Sequence, residues 1–111
     1  MNGFTTGRLV EPKTRLFYDK VHKKAKVIFR KSYPQKKHPF EMVWIGINAK
    51  RGPWVYTSSR TKLKFENWGK GQPNNDAHGT HTHDCVNFNV IYGQWTDFHC
   101  GSKFYFICEF F

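Results

Sequence analysis

From Glu66 to Cys100 the chain reads ENWGKGQPNNDAHGTHTHDCVNFNVIYGQWTDFHC, and the reading of the fold hangs on this stretch. Its first part, up to Asp84, holds three Gly, three Asn, three His and one Pro. Gly69, Gly71 and Pro73 break regular structure there until Asp84. The second part changes character: Val86, Phe88 and Val90 alternate with Asn87 and Asn89 before a turn at Tyr92 to Gln94, as in a hairpin. Cys85 and Cys100 enclose that hairpin, and a bridge closing a loop of this size would stabilise by roughly 3 kcal/mol on the chain-entropy model. Cys108 is then left over, which leaves open a missing partner, a cross-link to another molecule, or a free buried thiol.

Upstream, Thr14 to about Lys31 reads as an amphipathic helix. Phe17, Val21, Ala25 and Ile28 recur at helical spacing beside Leu16 and Phe29, while Lys20, Lys23, Lys24, Lys26 and Arg30 fall mainly elsewhere on the wheel. SYPQKKHP ends it, because proline and the residue before it resist helical geometry. MVWIGI then reads as a buried strand, and GPWVYTSS and KLKFENW as short strands or extended pieces. The closing KFYFICEFF is apolar on both faces, which predicts a strand covered on both sides. Together these elements predict an α+β domain whose longest irregular segment carries its function.

The chain of 111 residues has room for one domain, and an apolar fraction of 39% with eleven Phe, five Tyr and four Trp supplies a core. No apolar run is long enough to span a membrane, and MNGFTTGRLV lacks the basic start and apolar middle of a secretory signal. Eighteen Lys and Arg against eight Asp and Glu give a formal charge of +10, concentrated in residues 13 to 37. That run serves either as a solvated helix face or as a surface for anionic partners such as acidic polysaccharide, lipid headgroups or mineral.

The ordered set of short motifs resembles the C-type lectin-like domain, of the single-domain, perlucin-like type, over roughly Gly7 to Glu109. TGRLVEPKT is similar to the segment after that family's first helix, WIGI to its core strand, and FENWGKGQPNN to the approach to its long loop. DCV, GQWTDFHC and FICE resemble its closing cysteine framework. The resemblance implies an N-terminally truncated version of the fold, lacking the first strand, the first helix and the first framework cysteine. It also implies that Cys85 pairs with Cys100 and that the family partner of Cys108 is missing. Since the family's first strand lies beside the last, the closing strand is expected to present an unpaired apolar edge, so that the chain is a fragment of a longer product or marginal alone.

In the family's sugar-binding members a calcium ion sits in the long loop and two sugar hydroxyls complete its shell. The matching positions here are Gln72, Asn74, His83, Thr96 and Asp97, with a cis bond implied between Gln72 and Pro73. Calcium takes six to eight oxygen ligands and is held more tightly as carboxylates are added. Gln72 and Asn74 offer neutral oxygens, Thr96 a hydroxyl and Asp97 one carboxylate, whereas His83 offers nitrogen where the family has Glu. Weak or lost calcium binding is the expectation. Gln72-Pro73-Asn74 combines the first residue of the family's galactose-type triplet with the last of its mannose-type triplet.

His78, His81 and His83 crowd the same loop, with His99 beside Cys100, but their spacing matches no helical pair or recognised zinc pattern. They read as solvent-facing side chains that charge below about pH 6.5. No nucleophile elbow, zinc-protease helix or phosphate-cradling loop is present, which argues against an enzyme. Nucleic acid ranks low because the aromatic residues fall at core-like positions. The leading expectation is a secreted, extracellular carbohydrate-binding domain using the 69 to 84 loop and Trp95 to Asp97. The alternative is a calcium-independent matrix or interaction module that binds anionic glycans, mineral or protein through the basic helix.

Overall fold

The computed structural model describes residues 7–32, 42–49, 53–74, 77–78, 81–82 and 84–110. Helix α1, Arg15–Ser32, begins where Thr14 Oγ1 accepts the Phe17 N–H at 3.1 Å, an N-cap that satisfies one of the free donors of the first turn. It buries Tyr18 and Ala25, with Val21 and Phe29 packed alongside. The expected stripe is therefore corrected by one position at each end: Phe17 and Ile28 face outward, and Tyr18 and Phe29 face in. Apolar residues lie on more than one side of this helix, so periodicity alone does not choose the buried one. Tyr18 is chosen because its ring meets Phe88 and Trp95 edge-on at 5.5 and 5.8 Å, while its hydroxyl donates to the Gly93 carbonyl.

Strand β2, Met42–Asn48, holds the centre of the main sheet. It runs antiparallel to β6, Cys85–Asn89, which pairs in turn with β7, Trp95–Phe98. The other edge of β2 is shared: β3, Val55–Tyr56, takes Ile47 and Asn48, and β8, Tyr105–Phe106, lies parallel to Val43 and Trp44. Alternate residues Val43, Ile45, Ile47, Val86, Phe88 and Trp95 are buried with Tyr18, Ala25 and Tyr56 in one core. Among the described residues of the expected GPWVYTSS and KLKFENW pieces, only β3 is a strand. The latter forms isolated bridges from Lys62 to Val55 and from Trp68 to Trp95.

The closing segment departs from expectation twice. It is divided into β8 and β9, Cys108–Phe110, and Tyr105 and Phe106 are exposed, so it is no strand covered on both sides. Nor is β9 an unpaired edge: it pairs antiparallel with β1, Gly7–Leu9, with Arg8 opposite Glu109. The Arg8 guanidinium donates twice to Glu109 Oε1, at 2.9 and 2.6 Å, across that seam.

Beside this seam lies Glu11, buried, accepting hydrogen bonds from Ser58 N–H and Ser58 Oγ at 2.8 Å each and ion-paired with Arg8 at 3.4 Å. Gly46 makes room for it, since a Cβ there would stand 2.8 Å from Glu11 Cγ and 2.9 Å from the Leu9 carbonyl oxygen.

Candidate functional site

The long loop is rooted along β7. Trp95 donates its N–H to the Asn67 carbonyl and accepts the Gly69 N–H on its own, both at 2.9 Å, so the chain leaving Trp68 is zipped to the strand. It turns next through Gly71, whose φ of +78° suits glycine, and the Gln72 N–H returns to the Gly69 carbonyl at 3.0 Å. The Gln72–Pro73 bond is cis, as the resemblance implies. Immediately after it the Asn74 N–H donates to Asp97 Oδ1 at 2.9 Å, tying the loop to β7 a second time.

Neighbouring residues on a strand point to opposite faces. Asp97 lies buried on the same side of β7 as Trp95. Thr96 takes the other side, where its hydroxyl donates to Asn87 Oδ1 at 2.5 Å. Of the expected site residues, the structure thus ties Asn74 to Asp97, places Gln72 two residues upstream in the same turn, and directs Thr96 elsewhere. His83, Asn75 and Asp76 lie outside the described residues, as do the side chains of His78 and His81. A two-residue hairpin, β4 at Ala77–His78 and β5 at His81–Thr82, interrupts the segment read as irregular.

Gln72 Oε1 is buried and has no hydrogen-bond partner among the described residues. A buried carbonyl oxygen without a donor is costly, and a hard cation satisfies one. In kind, then, the oxygens of Gln72, Asn74 and Asp97 suit calcium. In charge they fall short, because Asp97 alone is a carboxylate. Among the described residues no three His, Cys, Asp or Glu side chains converge as a metal-holding group.

One positioning residue escaped the sequence reading. Asn67 donates from Nδ2 to the Gly93 carbonyl at 2.8 Å and accepts from Arg15 at 3.1 Å through Oδ1, while its backbone carbonyl takes the Trp95 N–H. It locks the root of the loop to the hairpin turn and to the helix. Nothing marks it in FENW beyond being an amide between charged and aromatic neighbours.

At the far end of the loop Cys85 and Cys100 form a disulfide, with Cα atoms 5.2 Å apart. Cys108 is a free, half-buried thiol. The basic residues Lys20, Lys23, Lys24, Lys26 and Arg30 are all exposed on α1.

The Lectin C-type domain profile matches residues 7–110. Collectin-11 of Danio rerio is 39% identical over 70 residues, 61% of this chain and 24% of that protein. Collectin-10 of Homo sapiens is 34% identical over 76 residues, 67% of this chain and 26% of that protein. The matches thus span about a quarter of the length of these collectins. Among solved structures, the human scavenger receptor C-type lectin carbohydrate-recognition domain superposes with a TM-score of 0.71 at 28% identity, covering 92% of this chain and 70% of that one. CEL-I from Cucumaria echinata, at 18% identity and a TM-score of 0.64, shares the fold. A profile match running from the first described strand to the last, over a loop rooted on β7 and closed by a disulfide, establishes that this chain belongs to the C-type lectin domain family.

Proposed function

We propose that this domain binds carbohydrate outside the cell through the long loop and the Trp95–Asp97 segment, with calcium affinity reduced by a shortage of carboxylates. The observation that carries the reading is the pair of features at the loop base: Gln72 Oε1 is buried without a partner among the described residues, and Asp97 reaches across to the Asn74 N–H. Gln72, Asn74 and Asp97 are the residues that would hold the ion. Bound there, calcium offers coordination positions to adjacent sugar hydroxyls.

The protein's own part is to hold those oxygens in place. Asp97 is fixed by its position on β7 and by the Asn74 N–H, and Gln72 by its backbone bond to Gly69. The sugar-binding role is further supported by the family and by the similar structure described as a carbohydrate-recognition domain. An extracellular setting is supported by the Cys85–Cys100 bridge, since such bonds persist in oxidising compartments. A binding role is in keeping with the family, and Cys100, the thiol beside His99, is consumed in that bridge and is no nucleophile.

Calorimetric titration with calcium at neutral pH tests the reading. The expected dissociation constant is on the order of 10⁻⁴ to 10⁻³ M, the weak end of protein calcium sites. Asp97→Asn, which keeps an acceptor for the Asn74 N–H, should abolish the heat. Glycan-array binding should fall with chelator and with the same variant. Glycan binding that ignores both would remove calcium from the account, and no glycan binding under any condition would overturn the proposal.

A further inference from the structure

The basic helix is more than a cationic surface. On the outward side of α1, Leu16 is 67% exposed, Phe17 40%, Val27 44% and Ile28 47%, which is high for four large apolar side chains on one helix. At 100° per residue, Leu16, Lys20, Lys23, Lys24 and Val27 occupy one outward arc, with Phe17 and Ile28 along its margin. Leu16 and Val27 stand three turns apart, about 16 Å along the axis, with the lysines between them. The opposite arc, Tyr18, Val21, Ala25 and Phe29, is packed on the sheet. The helix is therefore amphipathic toward its own core and carries a second, mixed apolar and basic face toward the outside.

Acidic balance is nearly absent there. Asp19 is the one acidic residue of α1, and it pairs with Arg15 at 3.3 Å. Among the described residues Lys20, Lys23, Lys24, Lys26 and Arg30 have no carboxylate within ion-pair distance. Such a face repels a second copy of itself, because each copy brings the same cations. An aqueous polyanion would use the lysines but leave the apolar side chains in water. An anionic bilayer uses both: Leu16, Phe17, Val27 and Ile28 enter the headgroup boundary, while the lysine stems lie along it with their ammonium groups among the phosphates. No helix of the described residues is long and apolar enough to cross a membrane, so the contact is one of lying on the surface.

We propose that the outward face of α1 docks the domain on anionic lipid bilayers, independently of the sugar-binding loop. Co-sedimentation with sugar-free vesicles in the presence of chelator tests it, comparing pure phosphatidylcholine with a mixture containing 30% phosphatidylserine. Partition is expected with the anionic vesicles and not with the neutral ones. The triple variant Lys20→Glu, Lys23→Glu, Lys24→Glu should lower it on the order of a hundredfold or more. Leu16→Ser with Val27→Ser, both outside the core, should lower it about tenfold or more while leaving retention on heparin and the melting temperature unchanged. Partition unaffected by the serine pair would overturn the proposal in favour of a soluble polyanion site. Equal partition with neutral vesicles, or none with anionic ones, would also overturn it. Chelator and the absence of sugar keep either result separate from the fate of the loop.

Discussion

At the scale of single residues, two side chains do work that the sequence does not advertise. Tyr56 donates its hydroxyl to the Pro12 carbonyl at 2.8 Å and accepts the Lys64 N–H at 3.0 Å, joining three chain segments from one buried ring. Glu11 is buried next to Gly46 with no space to spare. Gly46→Ala is therefore expected to destabilise by about 1–3 kcal/mol, the usual cost of overpacking, and to lower the urea midpoint without changing the slope. WIGI was legible as a core strand from its apolar run, but the need for glycine within it comes from Leu9 and Glu11, more than thirty residues upstream. Local sequence cannot display such a requirement.

At the scale of elements, the helix was legible in extent and misread in orientation. Its spacing, its prolines beyond the end and its basic residues gave boundaries within one residue, whereas the buried stripe depended on which side chains the sheet could receive. Thr14→Ala should cost about 1 kcal/mol through loss of the cap and leave the core intact, seen as a lower melting midpoint with unchanged near-ultraviolet dichroism. The hairpin of β6 and β7 was legible because Val86 and Phe88 alternate with asparagines, although Asn87 is as buried as they are. Its turn is fixed by Asn89 Oδ1, which accepts the Ile91 and Tyr92 N–H groups at 2.8 and 3.0 Å. Of the proposed site, Asn74 and Asp97 were legible together through the family pattern. Thr96 was not separable from them, because only strand geometry turns it to the opposite face.

At the scale of the molecule, burial pushes the phenols of Tyr18 and Tyr56 above their ordinary value, Tyr18 far above. In the unfolded chain both ionise near pH 10. Folded, they keep their protons longer, so stability is undiminished below about pH 10 and falls as the pH rises beyond it. For Tyr18 the slope approaches about 1.4 kcal/mol per pH unit. Urea midpoints measured from pH 8 to pH 11 should stay level and then drop, and Tyr56→Phe should make the drop shallower. The seams of the fold carry a separate consequence. β1 joins β9, β2 joins β6, and β2 joins β8, so each of these seams pairs a strand from before the long loop with one from after it. A protease that nicked the chain within residues 75–80 would leave two peptides still interlocked. They should co-elute in native buffer, separate only in denaturant, and find each other again when it is diluted away, so that the domain can be split and rebuilt from its halves.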